Sequence, residues 1–267
     1  MTGCDNNCSS CDVENCPSRQ GIVKEKMSET SNVKKKIAIV SGKGGVGKSL
    51  VTSLLAVNKL NNNNKVAILD ADITGPSIPQ CFGVHGGLES DGTYIYPLKS
   101  KRGVEIVSTN LLLNDETDPV IWRGPMIATM VKQFYTDVAY GDIDYMFIDL
   151  PPGTGDVPLT VFQSMEIDGI IIVTSPQDLV SMIVSKAINM AKQMNVKVLG
   201  IVENMSYVVC PKCDEHIEVF GHSKLDEVAS KYNLKILGRI PLDKKLAEAC
   251  DKGDIESIKD NYFNIDF

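Results

Sequence analysis

A chain of 267 residues, 43% hydrophobic and 23% charged, can bury one substantial core and has neither a fibrous nor a wholly disordered composition. Its formal charge of −7 sets up no positive field toward nucleic acid or anionic lipid, so neither is expected as a partner. The apolar runs are too short to span a bilayer and the polar N-terminus has no signal-peptide core, which predicts a cytoplasmic protein with its eight cysteines reduced, where clustered thiols more often bind metal than pair.

Residues 1–35 are polar, lack apolar periodicity and end in a lysine run, Lys34-Lys35-Lys36. They read as a disordered arm ahead of a single domain spanning 36–267. The arm carries Cys4, Cys8, Cys11 and Cys16, followed by Pro17; four thiolates in so short a span can encircle one metal centre, either an iron-sulfur cluster or zinc. Beyond it, short β-branched runs at 37–41, 66–70, 145–150, 169–174, 196–203 and 234–240 read as buried parallel strands. Helical patterns at 48–60, 126–140, 179–194, 224–232 and 242–251 fall between them, predicting a doubly wound, mostly parallel α/β sheet. Two insertions interrupt the alternation: 89–109, an expected edge hairpin, and 210–222, a loop with a cysteine pair. Cys81 and Cys250 stand alone and read as incidental buried thiols.

The first strand runs straight into Gly42-Lys43-Gly44-Gly45-Val46-Gly47-Lys48-Ser49 and then a helix, the order that the G-x-x-x-x-G-K-[ST] motif requires. The glycines let backbone N–H groups turn in around phosphate oxygens, and the helix N-terminus adds partial positive charge. Lys48 neutralises the outer phosphates and the Ser49 hydroxyl ligates Mg2+, so the expected ligand is ATP with Mg2+. Carboxylates complete such a site from the C-terminal ends of neighbouring strands, where ligands collect on an open α/β sheet. Asp149 ends the run Tyr145-Met-Phe-Ile148 and is the expected Mg2+ residue. Asp70 and Asp72 end the second strand, with Asp70 a helix cap or a supporting carboxylate. Gly153-Thr154-Gly155-Asp156 after Pro151-Pro152 reads as a switch loop able to sense the γ-phosphate.

Cys210-Pro-Lys-Cys213 places two thiolates at a chelating spacing, yet two ligands leave a tetrahedral site half empty. Something must complete it; in a zinc knuckle His216, following Cys213 after two residues, could serve as a third ligand.

Lys43, just after the first glycine of the loop, resembles the signature lysine of the deviant Walker A subclass, which includes the nitrogenase iron protein, the Min and Par ATPases and metal-cluster carriers. That resemblance implies a homodimer with nucleotide sandwiched between subunits, Lys43 reaching the partner's phosphates, and Asp72 positioning the attacking water. Asp70-Ala-Asp-Ile-Thr-Gly-Pro-Ser-Ile-Pro79, Trp122-Arg-Gly-Pro-Met126, Asp149-Leu-Pro-Pro-Gly-Thr-Gly-Asp156 and Glu203-Asn-Met-Ser206 before the C-P-x-C pair together resemble the Mrp/ApbC iron-sulfur cluster carrier ATPases. Membership implies that Asn204 contacts adenine. It also implies that Cys210 and Cys213 of two protomers share a bridging [4Fe-4S] cluster, passed on to recipient apo iron-sulfur proteins, with a possible second cluster on the arm. Trp122 reads as packing a core edge. The chain departs from the family pattern after Phe220-Gly221, where His222-Ser223 replaces a glycine pair. A positioning ATPase of the Min or Par class and a zinc-stabilised P-loop ATPase are the alternative readings.

Overall fold

The computed structural model describes residues 24–72, 77–112, 124–176 and 180–265. In chain order its first half holds β1 (Ser31–Ser41), α1 (Lys48–Asn61), β2 (Val66–Asp70), α2 (Ser77–Phe82), β3 (Glu89–Ser90), β4 (Ile95–Tyr96), β5 (Leu98–Lys99), β6 (Glu105–Ser108) and α3 (Gly124–Thr136). The second half holds β7 (Gly141–Asp149), α4 (Asp156–Ser164), β8 (Gly169–Thr174), α5 (Val180–Gln193), β9 (Val198–Glu203), β10 (Val208–Val209), β11 (His216–Ile217), α6 (Leu225–Tyr232), β12 (Ile236–Arg239) and α7 (Lys244–Asp251). Eight strands form one sheet in the order β12-β9-β8-β1-β7-β2-β6-β5. Only its last pair, β5 with β6, is antiparallel. The expected doubly wound α/β fold is present.

Residue alternation along the strands divides the apolar side chains between two cores, one on each face of the sheet. From β1, Ala38 and Val40 join Phe134, Phe162 and Ile188 on one face, while Ile37 and Ile39 join Leu55, Phe82 and Leu246 on the other. The centre of β8 does the same: Ile170 and Ile172 enter the first core and Ile171 and Val173 the second. Among the described residues no helix is long and apolar enough to cross a membrane.

The expected arm is shortened at its C-terminal end. Ser31 to Lys35 belong to β1, not to a tether, because β7 is long enough to pair with them, beginning at Ser31 opposite Gly141. Ser31 Oγ donates to the Val138 carbonyl at 2.9 Å, and Lys34 Nζ lies 2.7 Å from Asp144. The lysines stay solvated on the exposed end of a ladder, so their charge costs the strand little. Three elements lie outside the expected pattern: β6, which runs parallel beside β2, and helices α2 and α4. Both helices carry a proline at the third position, Pro79 and Pro158, which suggests a turn in sequence. In a first helical turn the missing N–H has no intrahelical acceptor, so proline is tolerated there. Cys4, Cys8, Cys11, Cys16 and Trp122 lie outside the described residues.

Candidate functional site

The phosphate loop leaves β1 at Ser41 and enters α1 at Lys48. Gly45 and Gly47 adopt φ of 77° and 74°, in the left-handed region open to glycine. Glycine at 47 is demanded twice, since a Cβ there would also stand 2.1 Å from Asn204 Nδ2. That amide, following β9 directly, donates to the Val46 carbonyl at 2.9 Å, and the Asn204 backbone N–H donates to the Thr174 carbonyl at 2.9 Å. Asn204 therefore braces the loop from the side.

Parallel register brings the carboxylates together: Asp70 of β2 is paired with Asp149 of β7, which is paired in turn with Ile39 of β1. Asp149 is fully buried. It accepts hydrogen bonds from Ser49 Oγ at 2.5 Å and Thr52 Oγ1 at 2.7 Å, and Lys48 Nζ stands 2.8 Å away. Asp72 Oδ2 flanks the same ammonium at 3.3 Å. Burial disfavours the Lys48 ammonium, but Asp149 and Asp72 outweigh it and its pKa is raised. Lys43, Lys48, Ser49, Asp72 and Pro152 help to line a cavity of about 390 Å3. Ser49 Oγ and the Asp149 carboxylate present hard oxygen donors side by side, a donor set that fits Mg2+.

Thr52 is a partner the motif does not name. It lies one turn beyond Lys48, close enough for its hydroxyl to touch both the Lys48 carbonyl and Asp149, and no local spacing announces the second contact, which spans 97 residues. Among the described residues Asp70 accepts the Asp72 backbone N–H at 3.1 Å and the Ser108 hydroxyl of β6 at 2.8 Å, contacts of a supporting carboxylate. Burial first, then the negative charge of Asp149, push its carboxyl well above the ordinary value of 3.8. Because the folded pKa exceeds the unfolded one, this group's contribution to stability is full below 3.8 and is lost as pH rises through the raised value. Asp70→Asn keeps the shape and the acceptor for Asp72 N–H while removing that charge. It is expected to raise the Tm of nucleotide-free protein at pH 8 by about 2–4 °C, equivalent to about 1 kcal/mol, and by less at pH 5. Thermal unfolding at the two pH values checks this, and a lower Tm at pH 8 counts against it.

The switch candidate lies at the cavity rim. Pro152 lines the cavity, Gly153 donates its N–H to the Ser41 carbonyl at 2.8 Å, and Asp156 opens α4 with Gly155 before it.

Cys210 and Cys213 occupy the tip of a hairpin in which β10 pairs with β11. The Cys210 N–H donates to the Glu215 carbonyl at 2.9 Å, and Asp214 takes a left-handed φ of 56° to close the turn. Cys213 is exposed and Cys210 half-buried. The Lys212 backbone N–H, the Cys213 thiol and the Cys213 backbone N–H stabilise the Cys210 thiolate and lower its pKa. His216 does not join them as a third ligand; its ring stacks on Tyr207 at 3.9 Å between centroids. Among the described residues no three His, Cys, Asp or Glu side chains converge as a metal site. Cys81 and Cys250 do not stand alone: α2 and α7 bring them together, their thiols hydrogen-bond each other, and both line the cavity beside the phosphate loop.

A family model described as the NUBPL iron-transfer P-loop NTPase matches residues 32–264. An iron-sulfur cluster carrier protein of Methanocaldococcus jannaschii is 45% identical over 260 residues, covering 95% of this chain and 90% of that one. One from Clostridium perfringens is 44% identical over 233 residues, covering 84% and 82%. Among solved structures, a nucleotide-binding protein of Archaeoglobus fulgidus in complex with ADP, with cobalt found in it, superposes with a TM-score of 0.76 at 44% identity, over 84% of this chain and 88% of that one. The MinD–MinC complex of Aquifex aeolicus shares the fold, with a TM-score of 0.56 at 20% identity over 82% of this chain and 86% of that one. The phosphate loop, its carboxylates and the cysteine hairpin all lie within the matched residues 32–264, and with most of its length covered this chain belongs to the NUBPL iron-transfer P-loop NTPase family.

Proposed function

We propose that the chain is an ATP-hydrolysing carrier that assembles a [4Fe-4S] cluster and hands it to apo iron-sulfur proteins. The observation that carries this reading is the placement of Cys210 and Cys213 at an accessible hairpin tip with no third protein ligand beside them among the described residues. Two thiolates per chain are half of the four an iron-sulfur cluster takes, so a second protomer supplies the rest and the functional unit is a homodimer. The zinc alternative draws no support from His216, whose ring is engaged with Tyr207. A positioning ATPase of the Min or Par class has no use for the cysteine hairpin.

In the nucleotide cavity, backbone N–H groups of the loop and the start of α1 hold the phosphates. Lys48 balances their charge, and Lys43 reaches across to the nucleotide of the partner. Asn204 meets the base. Asp72, beside Lys48 in the cavity wall, orients the water that attacks the γ-phosphate to give ADP and phosphate. Ser49 and Asp149 would hold Mg2+, which supplies charge neutralisation on the outer phosphates when bound.

Anaerobic reconstitution with iron and sulfide is the test. The expected product is a dimer with the visible absorption of an iron-sulfur cluster and about four iron and four sulfide per two chains beyond any held by residues 1–23, transferable to an apo acceptor. A protein that stays monomeric with and without ATP and iron would overturn the reading.

A further inference from the structure

Glu203 is fully buried at the end of β9, directly before Asn204, and is not used by the chemistry described above. Its carboxylate holds both limbs of the cysteine hairpin. Ser206, on the leading limb, donates its hydroxyl to Glu203 Oε2 at 2.5 Å, and Ser223, on the returning limb, donates to Oε1. Ser223 Oγ in turn accepts the Leu225 N–H at 3.1 Å, at the start of α6. Arg239 Nε lies 3.8 Å away, with its guanidinium also engaged by Asp226 at 2.6 Å. A buried carboxylate is costly unless its lone pairs are filled, and here two serines separated by the whole hairpin fill them.

The neighbouring residue belongs to the other site. Asn204 is tied by its side chain to Val46 in the phosphate loop and by its backbone to Thr174 of β8. One peptide unit thus separates the bond to the nucleotide loop from the clasp on the hairpin, and this peptide lies at the end of β9, which is hydrogen-bonded on both sides, to β12 and to β8. We infer that Glu203 is a positioning residue that couples nucleotide binding to the reactivity of Cys210 and Cys213. When nucleotide moves the loop and engages Asn204, the Glu203 carboxylate carries the displacement to both roots of the hairpin. Were the hairpin attached by one limb only, it would pivot about that limb and lose the displacement; the second serine prevents this. The inference rests on the reading of Cys210 and Cys213 as the cargo site, but its test does not use cargo.

The test follows alkylation of Cys210 and Cys213 in reduced, cluster-free full-length protein, read by peptide mass with and without ATP and Mg2+, with nucleotide affinity measured alongside. In the unsubstituted chain, nucleotide is expected to change the rate at least about fivefold, the lower end of ordinary coupling between sites. Ser223→Ala and Glu203→Gln are each expected to bring that ratio close to one while ATP affinity stays within about twofold, and Ser223→Thr, which restores the hydroxyl, to recover it. No nucleotide effect in the unsubstituted chain, or an effect undiminished in both variants, overturns the coupling. Loss of ATP binding in both variants also overturns it, because Glu203 would then support the nucleotide site alone. Whether a cluster forms at all is decided separately by reconstitution, so the two readings can fail independently.

Discussion

Lys48→Ala is expected to lower ATP turnover at least about 100-fold, the scale set by losing one preorganised charge in a water-poor site. The substitution removes the cation that stands 2.8 Å from Asp149 and 3.3 Å from Asp72. In the nucleotide-free protein this ammonium neutralises carboxylates; with nucleotide present, the same charge would be available to the phosphates, and Asp149 with Ser49 would hold Mg2+. Of the two lysines that line the cavity Lys48 lies the deeper: it is 5% exposed, whereas Lys43 is half-buried. Losing the cation also leaves acidic groups unbalanced in a buried place, at a cost of about 3–5 kcal/mol for breaking such a pair. A drop in activity alone could therefore reflect unfolding. Lys48→Arg separates the two effects, since it keeps the positive charge for the carboxylates but brings a longer, forked head that does not fit a loop built around an ammonium. It is expected to keep most of the thermal stability and still lose turnover. Normal hydrolysis by a folded Lys48→Ala protein, measured as phosphate release, would remove the loop from the chemistry.

Much of this architecture could be read from the residues because the strands are buried on both faces. The runs at 66–70 and 169–174 coincide with β2 and β8 at both ends, since a strand flanked by helices must be apolar throughout and stops where the apolar run stops. β1 breaks that relation. Its first five residues are polar except for Val33, and what makes them strand is the length of β7 alongside, a partner 110 residues away that no local pattern reveals. The phosphate loop was legible for a different reason: its glycines answer to backbone geometry, which leaves a fixed spacing in sequence. Thr52 and Ser108 were not, because a hydroxyl on a helix or strand gains its role only when parallel register has set Asp149 and Asp70 side by side. The Cys81 and Cys250 contact likewise depends on where α2 and α7 come to rest, and so does the clasp at Glu203. Single residues far apart in the chain carry no spacing signal, however close the fold brings them.

Cys210→Ser is expected to abolish cluster retention at the hairpin. Serine has nearly the shape of cysteine, so the turn closed by the Cys210 N–H and the Asp214 backbone should survive, and a substitution at so accessible a site should shift stability by no more than about 0.5 kcal/mol. What changes is the donor. A hydroxyl does not ionise near neutral pH and is a hard ligand, whereas the Cys210 thiolate is soft and favoured by neighbouring N–H groups. Two-fold symmetry doubles the loss: one substitution removes two of four ligands, and since weakening a mere supporting contact around a metal can cost 10–100-fold, at least about 100-fold lower cluster affinity is expected. ATP binding should be unaffected, because Cys210 is not among the residues that line the nucleotide cavity. The comparison is made in a chain with Cys4, Cys8, Cys11 and Cys16 replaced by serine, so that iron held by residues 1–23 cannot mask the result. Iron and sulfide analysis after anaerobic reconstitution decides it: equal content with and without Cys210 would mean that the hairpin is not where the cluster resides, and the half-filled site at its tip would need another explanation.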